Sequence, residues 1–142
     1  MPSGAGKPGR SDARSEAREQ AVMLLYESEQ RGVRVAELLE DRPIVSEELT
    51  LLLVKGVEDG REGLDRAITD HAKGWTIERM PALDRAILRI GIFELRERTD
   101  VPTAVVIDEA VELAKRFSTD DSGKFVNGVL AAVAREARPG GS

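Results

Sequence analysis

Basic residues recur in this chain at a spacing that suits contact with a phosphodiester backbone. Arg14 and Arg18 are four residues apart, as are Arg85 and Arg89. On a helix that interval puts both guanidiniums of a pair on one face, where Arg14 and Arg18 can follow two phosphates. The same spacing also serves ordinary solvated helix faces, and composition alone does not choose between the two. The formal net charge of −5 argues against nucleic acid only at first sight. Between residues 37 and 70 stand ten acids against four bases, a local charge of −6, whereas residues 1–18 and 79–98 each carry +2. Screening at physiological salt acts over about 8 Å, so a ligand senses the nearest patch rather than the total.

Other chemistries lack their parts. His71 is the one histidine and there is no cysteine, so neither a zinc site nor a thiolate nucleophile can be assembled. His71 reads as a surface or partly buried helix residue. No nucleophile-elbow motif surrounds any serine. The carboxylate pairs Glu47-Glu48 and Asp120-Asp121 are adjacent on helical or capping segments and diverge instead of sharing a proton. Gly4-Ala5-Gly6-Lys7 begins like a phosphate loop, but the earlier glycine is missing and Pro8 stands where Ser or Thr is needed. The sequence offers no positive reason to expect an enzyme, a metal or a cofactor.

The elements that must position these side chains read as helices throughout. The chain has 142 residues, 41% hydrophobic and only 4% aromatic, which suits one small domain packed from Ala, Leu, Ile and Val. Residues 1–11, rich in Gly, Pro and Ser, are expected to be a disordered tail, as are residues 138–142. Between them, residues 12–137 form one domain of about seven helices. A first helix carries Ala17, Ala21, Leu24 and Leu25 and stops near Gly32; a short second one ends at Pro43. Ser46 can cap a third through Leu49, Leu52, Leu53 and Val57. A fourth runs from Leu64 through Ile68 and His71 to Trp75, which is expected to pack between helices. Pro81 suits the first turn of a fifth, Thr103 the cap of a sixth, and Ser118-Thr119-Asp120-Asp121 the cap of a seventh. No segment alternates with period two, so the fold class is all-α. A boundary near Gly74–Met80 separates an N-terminal subdomain, about 12–75, from a C-terminal three-helix subdomain, about 76–137. No apolar run approaches a membrane span and no signal-peptide core is present, so the cytoplasm is the expected location.

Three stretches resemble the NusB family of bacterial transcription antitermination proteins. The first is Ala13-Arg14-Ser15-Glu16-Ala17-Arg18-Glu19-Gln20-Ala21-Val22 with Leu24, Leu25 and Tyr26. The second is Trp75-Thr76-Ile77-Glu78-Arg79-Met80, followed by Leu83-Asp84-Arg85-Ala86-Ile87-Leu88-Arg89-Ile90-Gly91-Ile92-Phe93-Glu94-Leu95. The third starts at Asp100-Val101-Pro102 and ends Asp121-Ser122-Gly123-Lys124-Phe125-Val126-Asn127-Gly128-Val129-Leu130. The similarity spans about residues 13–131.

The resemblance implies an all-helical, non-catalytic factor of two subdomains. It implies pairing with the ribosomal protein that doubles as NusE, and binding of single-stranded boxA RNA within the RNA polymerase antitermination complex, notably on ribosomal RNA operons. Carried over residue by residue, it assigns Arg14, Arg18, Arg89, Asp121, Lys124 and Phe125 to RNA, and Tyr26 and Asp84 to the NusE side. It leaves open a homodimer that competes with the RNA surface.

Elementary chemistry supports part of this. Phe125 can stack on a base or pack in the core, since it continues a stripe with Val129. Asp121 can accept from base amino groups or cap its helix. Asp84 can equally make a surface ion pair. Ser15 and Glu16 thin out the basic arm that better-known members carry, so weak, partner-dependent RNA binding is expected. Two readings of other classes compete: a targeting domain of an RNA methyltransferase, which could not methylate alone, and a purely structural helical adaptor.

Overall fold

The computed structural model describes residues 10–40, 42 and 47–140. Among these, seven α-helices follow in order: α1 Arg10–Arg31, α2 Val35–Glu40, α3 Glu48–Asp59, α4 Arg61–His71, α5 Ala82–Glu97, α6 Thr103–Phe117 and α7 Asp120–Ala137. One turn of 3-10 helix, Ile77–Arg79, leads into α5. The all-α expectation holds, with no strand among the described residues. The cap expected at Ser46 and the stop at Pro43 lie outside those residues, as do residues 1–9.

The fold is organised around α5. It is buried on nearly every side: Ile87, Leu88, Ile92 and Leu95 are almost fully buried, and so are the charged Asp84, Arg89 and Glu94. α1, α3, α4, α6 and α7 all pack against it. Two glycines permit close approaches: a Cβ at Gly56 of α3 would overlap the Phe93 ring of α5, and one at Gly91 would stand 2.8 Å from Leu130 of α7. Buried side chains from Ala21 to Ala134 form one cluster that runs through both halves of the chain.

Three local departures from the sequence reading matter below. First, α4 ends at His71 rather than continuing to Trp75. The i, i+4 spacing of His71 and Trp75 suggested one stripe, but Gly74 has φ +82°, a left-handed turn that throws Trp75 out of helical register. Second, Thr103 is the first residue of α6 and makes no cap bond; Pro102 holds the cap position. Third, Arg138 is not part of a loose tail. Its guanidinium donates to the carbonyls of Leu95 (3.0 Å), Val101 (2.6 Å) and Arg98 (3.0 Å), to that of Glu94 (3.3 Å) and to the Thr103 hydroxyl (3.1 Å). Glu94 and Leu95 belong to the last turn of α5, Arg98 follows it, and Val101 and Thr103 lead into α6, so the end of the last helix is tied back to the middle of the chain.

Candidate nucleic-acid interface

The turn at Gly74 and the start of α7 face one another across a pocket of about 380 Å³. Trp75, Met80 and Pro81 line it from the α4–α5 connection, Asp84 from the first turn of α5, and Ser118, Thr119, Asp121, Ser122 and Phe125 from the α6–α7 junction. The rings of Trp75 and Phe125 lie 5.9 Å apart at 54°, within the range of favourable tilted aromatic pairs. Trp75 is 50% exposed, so its expected role between helices is replaced by a place on an open wall. Phe125 packs on the core, one of its two expected roles, and its ring also meets Trp75.

Hydroxyls fix the start of α7. Thr119 Oγ1 accepts the Ser122 backbone N–H at 2.9 Å, the capping bond expected of this segment. Because Thr119 provides it, the Asp121 carboxylate stays exposed in the first helical turn, where it also suits the helix dipole. Ser122 Oγ donates to Asp84 Oδ2 at 2.8 Å. Asp84 is therefore buried in the pocket wall, not at a surface ion pair, and it joins Asp121 and Phe125 rather than standing on a separate face. Lys124 is exposed on α7 beside this pocket and lines the neighbouring groove with Asp108, Glu112, Lys115 and Asn127.

The arginines divide sharply. Arg14 is exposed on α1. Arg18, one turn later, is 4% exposed and closes on Glu94 of α5 through Nε–Oε1 (2.8 Å) and Nη2–Oε2 (2.9 Å). Burial alone would lower its pKa; the Glu94 hydrogen bonds and charge, with Glu109 beyond, outweigh that and hold it above its ordinary value. Arg89, expected at an RNA-facing edge, is also buried. It pairs with Asp65 at 2.6 and 3.1 Å and with Glu29 at 3.2 Å. Each guanidinium is already engaged by carboxylates of the chain itself, Arg18 by buried Glu94 and Arg89 by the part-exposed Asp65 and Glu29. The shared face of Arg14 and Arg18 expected from their spacing is thus half covered.

Arg85 does something the sequence did not suggest. It donates to the carbonyls of Ile77 (2.9 Å) and Met80 (2.6 Å) and bonds Glu29 of α1. The guanidinium thereby braces the short 3-10 turn on which the Trp75 wall rests. Burial would raise the Glu29 pKa, and the bonds and charges of Arg85 and Arg89 outweigh it, so that it lies below its ordinary value. Tyr26, three residues before Glu29 on α1, is half-buried.

Sequence reasoning missed Trp75, Arg85 and the Ser118–Ser122 hydroxyls as members of one site. A signal existed for the first: a sole tryptophan placed just after a helix-ending glycine. The others depend on contacts between distant segments and left no local mark.

The comparisons agree with one another. The NusB family profile matches residues 15–135. Transcription antitermination protein NusB of Saccharopolyspora erythraea is 52% identical over 129 residues, covering 86% of each chain. Among solved structures, T. maritima NusB superposes with TM-score 0.80 at 30% identity, covering 96% of both chains. A complex of the antitermination factors NusB and NusE with double-stranded RNA matches with TM-score 0.76 at 30% identity, over 87% of this chain and 96% of that one.

Proposed function

The chain belongs to the NusB family, and from that footing we propose that it is a transcription antitermination factor that binds boxA RNA together with the ribosomal protein NusE. The observation that carries this reading is the pocket between Trp75 and Phe125, rimmed by Asp121 and flanked by exposed Lys124. Single-stranded RNA is held by stacking on aromatic rings, by polar groups on base edges and by basic side chains on phosphates. All three occur within this one region, and a solved relative of the same fold carries NusE and RNA.

In this reading Asp121, Phe125 and Trp75 meet bases, and Lys124 and Arg14 meet phosphates. Tyr26 is the contact for NusE. Arg18 and Arg89 serve the site from inside, by fixing α1, α4 and α5 to one another. The factor acts without catalysis, in the cytoplasm, as a part of the RNA polymerase antitermination complex on ribosomal RNA operons. The division into two subdomains near Gly74–Met80 places the pocket at their junction. Free of NusE, the chain self-associates through apolar or aromatic surface such as Tyr26 and Trp75, in competition with RNA.

The test is binding of a boxA oligonucleotide and a scrambled control to the chain with and without NusE. Weak binding alone and selective binding with NusE are expected. With Ser15 and Glu16 thinning the basic arm, three or four phosphate contacts correspond to a salt slope of only about 2–3. Tight, salt-insensitive binding by the isolated chain, or no preference for boxA with NusE present, overturns the reading. A light-scattering concentration series, repeated with boxA RNA, tests self-association.

A further inference from the structure

The outward face of α3 carries apolar side chains at its centre. Its exposed residues are Glu48, Leu51, Leu52, Lys55 and Asp59, spaced so that they form a single stripe along the helix. Thr50, Leu53, Val54 and Val57 point the other way and are buried. Leu51 is 41% and Leu52 48% exposed, the one adjacent pair of large apolar side chains left open among the described residues. One turn after Leu52, the partly buried Phe93 ring of α5 fills the space where a side chain at Gly56 would stand, and it extends the apolar surface beside the stripe.

The charges around the two leucines complement an inverted copy of themselves. In an antiparallel pair of α3 helices, a two-fold axis between Leu51 and Leu52 sets Leu51 of one copy against Leu52 of the other. The same axis sets Glu48 against Lys55 on both sides of the apolar centre. A two-fold contact requires this self-complementarity, because each copy presents the same patch. A cationic partner would meet Lys55 and an anionic one Glu48, whereas a second copy matches both. Lys55 also bonds Asp59 at 3.0 Å, but an exposed pair one helical turn apart contributes little, so its ammonium can be shared. We infer that α3 is an interaction surface for a second copy of this chain, packed antiparallel on the Leu51–Leu52 stripe with Glu48–Lys55 pairs at both ends.

This contact is separate from the self-association through Tyr26 and Trp75 proposed above. Phe93, which meets α3, stands nine residues after Asp84, which lines the pocket. Nine residues are about two and a half helical turns, so the two side chains leave α5 on opposite sides. α3 and the pocket therefore flank α5 from different directions, and pairing through α3 leaves the Trp75–Phe125 pocket open. α3 has 12 residues and is about 18 Å long. One such stripe buries less than a permanent dimer requires, so the pairing is weak and reversible.

Sedimentation velocity over a concentration series tests this on the full chain, alone and with NusE and boxA RNA in excess. A monomer–dimer equilibrium that persists when both are bound is expected. Leu52→Asp should weaken it about tenfold or more, because the lost apolar burial counts once in each copy. Glu48→Lys and Lys55→Glu each set like charges opposite one another and should weaken it several-fold. Mixing these two variants pairs every charge with its opposite, so the mixture is expected to dimerise where neither does alone. The Lys55 side chain is 78% exposed and Glu48 and Leu52 are also open, so helicity by circular dichroism should be unchanged. A chain that stays monomeric throughout, or that associates equally well with Leu52→Asp, overturns the inference. So does association that vanishes once NusE and boxA RNA are bound, which would place the contact on the Tyr26 and Trp75 side. Loss in the single variants without recovery in the mixture gives the stripe to a different partner and overturns it as well. Failure to select boxA over scrambled RNA strikes only the proposed function, since the charge-reversal pattern is read on the chain alone.

Discussion

Arg18 and Glu94 meet through two nearly parallel hydrogen bonds of 2.8 and 2.9 Å in the interior between α1 and α5, although 76 residues separate them in the chain. The bond pair matches the planar fork of a guanidinium to a carboxylate, and Glu94 also accepts from Arg98 at 2.7 Å. Removing one member of a buried pair leaves the other charge without compensation. Arg18→Ala is therefore expected to cost about 3–5 kcal/mol in denaturant unfolding, while Arg14→Ala stays within about 0.5 kcal/mol. An Arg14→Glu plus Arg18→Glu variant would confound RNA binding with folding, because a glutamate at 18 would face Glu94. A cost below about 1 kcal/mol for Arg18→Ala would mean that the pair does not hold α1.

Arg138 offers a second test of stability. Its bonds to the carbonyls at the end of α5 are charge-assisted and converge from one planar group. Arg138→Ala is expected to lower stability by about 2 kcal/mol. Arg138→Lys should recover little of it, since a single ammonium cannot span the same carbonyls. Equal melting temperatures for the three chains would show that the clasp is idle.

Trp75 is the sole tryptophan, so its fluorescence reports the pocket alone. With NusE present, boxA RNA is expected to change that emission and a scrambled RNA to leave it unaltered. Because Trp75 is half exposed, Trp75→Ala should cost far more in RNA affinity than in stability. About 1–3 kcal/mol per stacked base is the expected loss, with the salt slope unchanged because no phosphate contact is removed. A changed slope with preserved affinity would move the bases elsewhere.

His71 carries a pH dependence whose sign follows from its surroundings. Its Nδ1 lies 2.8 Å from the Ala67 carbonyl and its Nε2 3.0 Å from Glu136 of α7. The Ala67 hydrogen bond raises its pKa first, burial opposes this, and Glu136 raises it further, leaving it above the ordinary value. The protonated form is thus favoured by folding. Its contribution is complete below the unfolded value of about 6.5 and is lost as pH rises through the higher folded value. His71→Gln is expected to flatten this part of the stability profile; an unchanged profile would show that the α4–α7 contact does not depend on the charge.

How far these features were legible in the sequence depends on the range over which each is determined. Apolar periodicity suffices to read the helices, because it is local: Leu64 and Ile68, or Val126, Val129 and Leu130, announce their own burial. The same periodicity misleads at Trp75, since it carries no trace of the left-handed turn at Gly74. For Arg18 and Arg89 the spacing identifies a face but not whether the face is covered. Their fates are decided by Glu94 and Asp65, which lie far off in the chain. Asp84 is the extreme case. Nothing near it suggests burial, and its environment is made by Ser122, 38 residues later. Resemblance to the NusB family drew attention to Asp84, Asp121 and Phe125, while Arg85 required the contacts themselves.

The clasp of Arg138 on the end of α5 also bears on the order of events during synthesis. A chain emerges from its N-terminus, and α5, the helix that the others surround, leaves the ribosome well before α7. Until residue 138 has followed, α5 lacks both the apolar cover of α7 and the donor for its last carbonyls. The wall of the pocket formed by Ser118 to Phe125 is missing as well. A chain interrupted before α7 can therefore hold much of the helical scaffold yet lack one wall of the pocket, which is complete only once α7 has emerged.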